Sequence, residues 1–198
     1  LLAPLQAKVS WHEFTSGLPL LEALNLGNVD VSADVADTVP VFAQAAGAQL
    51  TFVAQEAPSP SAQAIVVRAD SPIKTVADLK GKRVSTGSPG GATEVMAFRV
   101  IEAAGLDRDK DMRRERLGAA ESTNALKDGK IDAYFWVGGL PTAAVTDLGA
   151  TPGVKLKLID HDDVVDKMNA KYGNIYASDV IPAKTYPGQD RDNKIAVV

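Results

Sequence analysis

Apolar positions along the chain recur at two spacings, and the two alternate. Leu20, Leu21 and Leu24 follow the turn Thr15-Ser-Gly-Leu-Pro19 at helical spacing, and Gly27 closes the segment as a left-handed C′ residue. Asp37-Thr38-Val39-Pro40 starts a second helix, with Val41, Phe42 and Ala45 as its core face and Gly47 as its stop. Leu1 to Gln6 read as the tail of a helix. Short apolar or alternating runs at Ala7–Phe14, Val29–Ala33, Gln49–Ala54 and Ala64–Arg68 predict strands between these helices.

The pattern continues past Asp70-Ser-Pro72. Thr75 caps a short helix over Val76–Leu79, stopped by Lys80-Gly81. Val84–Thr86 is the end of a strand and Gly87 a turn. Ser88 is placed to cap a helix whose first residue is Pro89, with Val95, Phe98, Ile101 and Ala104 as its stripe and Gly105 as its stop. Asp107–Arg116 carries mixed charge and reads as a solvated loop or edge. Helices are predicted over Glu121–Lys127, Thr142–Leu148 and Val164–Tyr172, and strands over Ile131–Val137, Val154–Ile159 and Lys194–Val198. Residues 173–193 read as irregular. Strand and helix alternate almost throughout, which predicts an α/β fold with mostly parallel sheets flanked by helices.

One unit occurs twice. Ala23-Leu-Asn-Leu-Gly-Asn-Val-Asp30 and Ala125-Leu-Lys-Asp-Gly-Lys-Ile-Asp132 both read A-L-x-x-G-x-(V/I)-D: a helix end, a C′ glycine and an entering strand. Its presence in both halves suggests two similar lobes. Pro19, Pro40, Pro89 and Pro141 each follow a predicted strand, preceded by small or polar residues. In parallel α/β sheets such turns share the carboxyl edge, where ligands bind.

The stretch Gly87-Ser-Pro-Gly-Gly91 is the focus of this pattern. A small-residue turn before a helix N-terminus exposes N–H groups to an anion. It matches neither the phosphate-loop motif nor the dinucleotide fingerprint. The ligand-binding candidates are Ser16, Gly17, Asp37, Thr38, Ser88, Gly90, Gly91, Trp136, Gly138 and Gly139. Each glycine, serine and threonine also reads as an ordinary cap or turn, Asp37 as a helix start and Trp136 as core. A helix dipole contributes about 0.3–1 kcal/mol to a bound anion. A micromolar ligand needs about −8 kcal/mol, so charge-assisted hydrogen bonds and aromatic contact must supply the rest.

Composition narrows the classes. A net charge of −4 argues against nucleic acid as a partner. With no cysteine there is no disulfide or thiol catalysis. His12 and His161 have no metal-ligand spacing, and Asp160, Asp162 and Asp163 lack the glycine and terminal glutamate of an EF-hand loop. Trp11 reads as packing. No cofactor is called for, and no Ser/His/Asp constellation emerges, so catalysis is not expected. Residues 1–10 show no basic segment leading into an apolar core, so no signal peptide is read there.

Residues Glu13–Asp30, Pro40–Ala48, Ala64–Val67 and Ser71–Val84 resemble aliphatic-sulfonate-binding proteins of ABC transporters. Ser85–Met96, Ile131–Ala144 and Ile181–Asp190 are similar to TAXI-type solute receptors of TRAP transporters. Both resemblances imply a two-lobed type II periplasmic-binding-protein fold, with a small organic anion (a sulfonate or carboxylate) clamped between lobes and delivered to a membrane permease. They imply a monomer in the periplasm, with an incomplete first lobe. Lobe 1 is expected over 1–68 plus about 181–198, and lobe 2 over about 69–180. Closure is expected to hinge near Arg68–Ser71 and Ser178–Tyr186. The mosaic of likenesses admits a recombined or designed scaffold without retained binding. An enzyme on the same fold is the other alternative.

Overall fold

The computed structural model describes residues 8–14, 16–32, 38–53 and 61–198, which fall into two compact units divided at Thr51/Phe52. In the first unit the described elements are two helices, α1 (Gly17–Asn25) and α2 (Thr38–Ala45). Leu21 is buried on α1, and Gly27 and Gly47 take φ values of 73° and 91° where the helices stop. The expected core face of α2 is corrected in part: Val41 and Ala45 are exposed and Pro40 is buried, while the side chain of Phe42 lies outside the description.

The strands expected at 7–14, 29–33 and 49–54 do not form: residues 8–14, 29–32 and 49–53 are irregular. Ala7, Ala33 and Ala54 lie outside the described residues. A helix closes its own hydrogen bonds, whereas a strand exists only where another segment supplies its partners. Alternation at Ala7–Phe14 therefore shows what could pair, not what does.

The second unit is built on a five-stranded sheet. Its strands are β1 (Ser61–Arg68), β2 (Arg83–Ser85), β3 (Arg113–Glu115), β4 (Ala133–Gly139) and β5 (Leu156–Leu158), in the order β3-β2-β4-β1-β5. β2 lies parallel to β3 and β4, while β1 runs antiparallel to both β4 and β5. The sheet is thus mixed, with two parallel and two antiparallel pairings: four strands run one way and β1 is reversed between two of them. Residues 61–68 hold a central place in it. The helices α3 (Ala92–Ala103), α4 (Ala119–Lys127), α5 (Ala143–Ala150) and α6 (Val165–Tyr172) complete the unit, with a 3₁₀ turn at Val76–Leu79.

Strand alternation divides the core between the two faces of the sheet. Ile65, Val67, Ala133 and Phe135 pack with α3 and α6, and Ala64, Val66 and Tyr134 pack with α4 and α5. Residues 173–193 are not wholly irregular: β6 (Ala177–Ile181) pairs antiparallel with β7 (Asn193–Val197). Three of the first four β6 residues are polar or small, and all four are exposed, which hid the strand from an apolar-run criterion.

Helix α3 begins three residues later than the capping pattern indicated. Its N-cap is Gly91, not Ser88, and Pro89 lies in the preceding turn. The buried face includes Thr93, Met96, Ala97, Val100 and Ile101. Phe98, expected in the core, points outward between two cations: the Arg108 and Arg114 guanidinium carbons lie 3.9 and 4.9 Å from its ring centre. The C-terminus ends as the glycine predicts. Gly105 has φ 83°, its N–H donates to the Glu102 carbonyl at 3.0 Å, and the Leu106 N–H donates to Ile101 at 3.1 Å.

Candidate functional site: the carboxyl edge of the five-stranded sheet

β2, β3 and β4 point the same way, so their carboxyl ends lie along one edge of the sheet. From that edge the chain enters α3 after Thr86–Gly91, α4 after Arg116–Gly118, and α5 after Leu140–Thr142. Three helix N-termini therefore follow neighbouring strands. Their opening N–H groups have no earlier carbonyl within the helix to bind. Because β1 is reversed, its start lies at this edge too: Ser61 is opposite Gly139 and Gln63 opposite Val137.

Two contacts fix the α3 turn in this edge. The Val137 N–H donates to Thr93 Oγ1 at 3.3 Å, tying β4 to the first turn of the helix. The Thr86 N–H donates to the Glu115 carbonyl at 3.0 Å. Gly87 is required by both conformation and space. Its φ is 94°, and a Cβ there would sit 2.7 Å from Thr93 Cβ.

The anion-binding N–H groups expected of this turn are partly used within the chain. The Gly90 N–H donates to Glu94 Oε2 at 2.9 Å. Glu94 is buried and takes an ion pair from Arg116, Nε to Oε1 at 2.7 Å. The chain thus places a carboxylate of its own at the N-terminus of α3, where the helix dipole favours negative charge. Sequence reasoning missed this pair. The signal was Glu94 at the third helical position, with Arg116 just beyond β3.

The second turn is built around Trp136. Its Nε1–H donates to Thr142 Oγ1 at 2.7 Å, and the Thr142 hydroxyl donates to the Gly139 carbonyl at 2.7 Å. The Thr142 N–H donates to the Tyr186 hydroxyl at 3.1 Å. Trp136 is half-buried and packs against the core on the α4–α5 side of the sheet. A Cβ on Gly138 would meet its indole at 2.8 Å, so a larger residue there would displace the ring.

Ser88, Gly90, Gly91, Trp136, Gly138 and Gly139 are accordingly brought to one region of the second unit. Gly90 and Gly139 are exposed, while Ser88 and Gly91 are buried. In the first unit Ser16 is the N-cap of α1 and Gly17 its first residue. Thr38 opens α2, and Asp37 lies outside the described residues. His12 is exposed, and His161 is buried with its Nδ1 3.0 Å from the Ile159 carbonyl oxygen. Burial lowers the His161 pKa, so the ring is held neutral. Among the described residues no cluster of His, Asp and Glu is arranged to hold a metal, and no helix is long and apolar enough to cross a membrane.

Known proteins resemble the chain on both sides of Arg83. A family model described as NMT1-like matches residues 24–198. An aliphatic-sulfonates-binding relative in Escherichia coli (strain K12) is 42% identical over 129 residues, covering 65% of this chain and 40% of the relative. The alkanesulfonate-binding protein SsuA from Xanthomonas axonopodis pv. citri, solved bound to MOPS, is 39% identical at a TM-score of 0.51, covering 64% of this chain and 43% of that one. An ancestral arginine-binding protein shares the fold at 23% identity and a TM-score of 0.54, covering 80% of this chain and 63% of that one. These are binding proteins, not enzymes. The chain spans about 40% of the length of the curated relatives it matches.

Proposed function

The chain belongs to the NMT1-like family, and on that premise we propose that it is part of a solute-binding protein. The solute is a small organic anion, a sulfonate by preference and a carboxylate otherwise. Its destination is the permease of an ABC importer, and its compartment is the periplasm. The protein acts as a monomer and performs no catalysis. The observation that carries the reading is the shared edge: α3, α4 and α5 all start from the carboxyl ends of neighbouring parallel strands. That arrangement favours an anion there by dipole and N–H donation together. Two of the named relatives, those from Escherichia coli and Xanthomonas axonopodis, are sulfonate-binding proteins, and MOPS is itself a sulfonate.

Within this reading Gly90, Gly91, Gly138 and Gly139 let the anion approach the backbone, and Ser88 and Trp136 flank it. Ser16, Gly17, Asp37 and Thr38 are proposed contacts from the first lobe. A TRAP-type partner is the alternative suggested by the second-half likeness, and a recombined chain would account for both likenesses. Thermal-shift measurement with MOPS, short alkanesulfonates and matched carboxylates tests the proposal. A raised melting temperature with sulfonates exceeding carboxylates is expected. No shift with any of them at millimolar concentration rejects it.

One observation favours a second reading, a scaffold of this fold without retained binding. Glu94 already occupies the Gly90 N–H and draws on Arg116. Calorimetry separates the two. Heat on titrating MOPS supports binding, and none supports the scaffold.

A further inference from the structure

Gln63 breaks the pattern of its own strand. It shares a face of β1 with Ile65 and Val67, both fully buried in the core beneath α3, yet it carries an amide. The residue is 6% exposed, and its Oε1 is buried without a hydrogen-bond partner among the described residues. A buried amide oxygen left unsatisfied is strongly disfavoured, so native proteins pair such atoms with protein or with ordered water.

The side chain lines a cavity of about 10 Å³, together with Thr93, Met96, Phe135 and His161. That is close to the smallest space that holds one water, roughly 10–15 Å³. Water also needs two to four polar partners, and the lining supplies them. Gln63 Oε1 is an acceptor. Thr93 Oγ1 accepts from the Val137 N–H, which leaves its own hydroxyl proton to donate. His161 Nδ1 lies 3.0 Å from the Ile159 carbonyl and is therefore the protonated nitrogen of a neutral ring. Nε2 then carries a lone pair.

We propose that this cavity is a binding site for a single buried water, which donates to Gln63 and His161 and accepts from Thr93. The water joins β1, the first turn of α3 and the loop after β5. All three meet at the edge that carries the candidate anion site, but the water site does not depend on the solute-binding reading.

A crystal structure of this full chain at about 1.5 Å resolution tests it. The expected result is a density peak at hydrogen-bond distance from both Gln63 Oε1 and Thr93 Oγ1. The same crystals of the Gln63→Leu variant should lose the peak, because Leu offers no acceptor. In solution, a long-lived water cross-peak to the Val137 amide is expected in the wild type and lost in the variant. No peak in the wild type, or a Gln63 amide turned onto a protein donor, overturns the proposal. So does a peak that survives in Gln63→Leu. If that variant does not fold, the wild-type density and the Val137 cross-peak decide alone.

Discussion

The repeated unit A-L-x-x-G-x-(V/I)-D folds alike along its whole length and differs in what surrounds it. At its first occurrence Gly27 has φ 73°, its N–H donates to Leu24, and the Asn28 N–H reaches back to Ala23 at 2.9 Å. At its second, Gly129 has φ 68°, its N–H donates to Leu126, and the Lys130 N–H reaches back to Ala125 at 2.8 Å. Both are the same Schellman stop. Around it the environments part. Leu24 and Val29 are half-buried, while Leu126 and Ile131 are buried. Asp30 is exposed, whereas Asp132 takes the Arg83 guanidinium and accepts the Arg83 N–H at 2.8 Å. Eight residues are enough to write a helix stop, but not what the helix packs against.

The largest test of that contrast is truncation of the two leucines. Leu126→Ala should destabilise by about 2–5 kcal/mol, because it opens a cavity in a closed core. Leu24→Ala should cost about 1 kcal/mol or less. Urea unfolding followed by circular dichroism measures both, and equal losses would break the comparison. A smaller and matched effect is expected at the glycines. Gly27→Ala and Gly129→Ala each place a Cβ in open space but at positive φ, which costs about 1–2 kcal/mol. Agreement between the two would confirm that the stop is local, and a much larger loss at Gly129 would show that it is not.

The smallest effect separates the two aspartates by pH. Hydrogen bonding from the Arg83 side chain, its largest cause, holds the Asp132 pKa below its ordinary value. A carboxylate depressed in the folded state stabilises fully above its unfolded pKa, about 3.9. That contribution is lost as pH falls through the lower folded value. Asp132→Asn should therefore flatten the acid limb of stability plotted from about pH 5 to 2. Asp30→Asn is the control for an exposed aspartate, expected to change stability by less than about 0.5 kcal/mol. An unchanged limb in Asp132→Asn would remove the distinction.

What could be read from residues follows the same division. The stops at Gly27, Gly47, Gly105 and Gly129 were legible, as were the short helix after Thr75 and the helix ending at Tyr172. Each depends on neighbours within about one turn. The α3 start was misplaced because Ser88 and Pro89 satisfy a cap pattern as well as Gly91 satisfies the geometry. Phe98 reads as core because it falls at helical spacing between Val95 and Ile101, whereas the face that packs inward runs through Met96, Ala97 and Val100. The shared edge of the sheet followed from strand–helix alternation. Glu94 and Arg116 could not be found the same way, since each pairs with the other across two elements, and the burial of Gln63 depends on α3 packing over β1. Gln63 did leave one trace: it continues the Ile65–Val67 alternation with a polar side chain.

The reversed strand has a consequence for synthesis. β1 pairs at Arg68 with Leu156 and at Ser61 with Gly139, so its neighbours on both sides are made long after it. At roughly 5–20 residues per second, a ribosome takes about 4–18 seconds to reach them. Through that interval Ala64-Ile-Val-Val67 has neither flank of the sheet to pair with. The nascent chain would have to be shielded, by the exit tunnel at first and by a chaperone afterwards, until its late partners arrive.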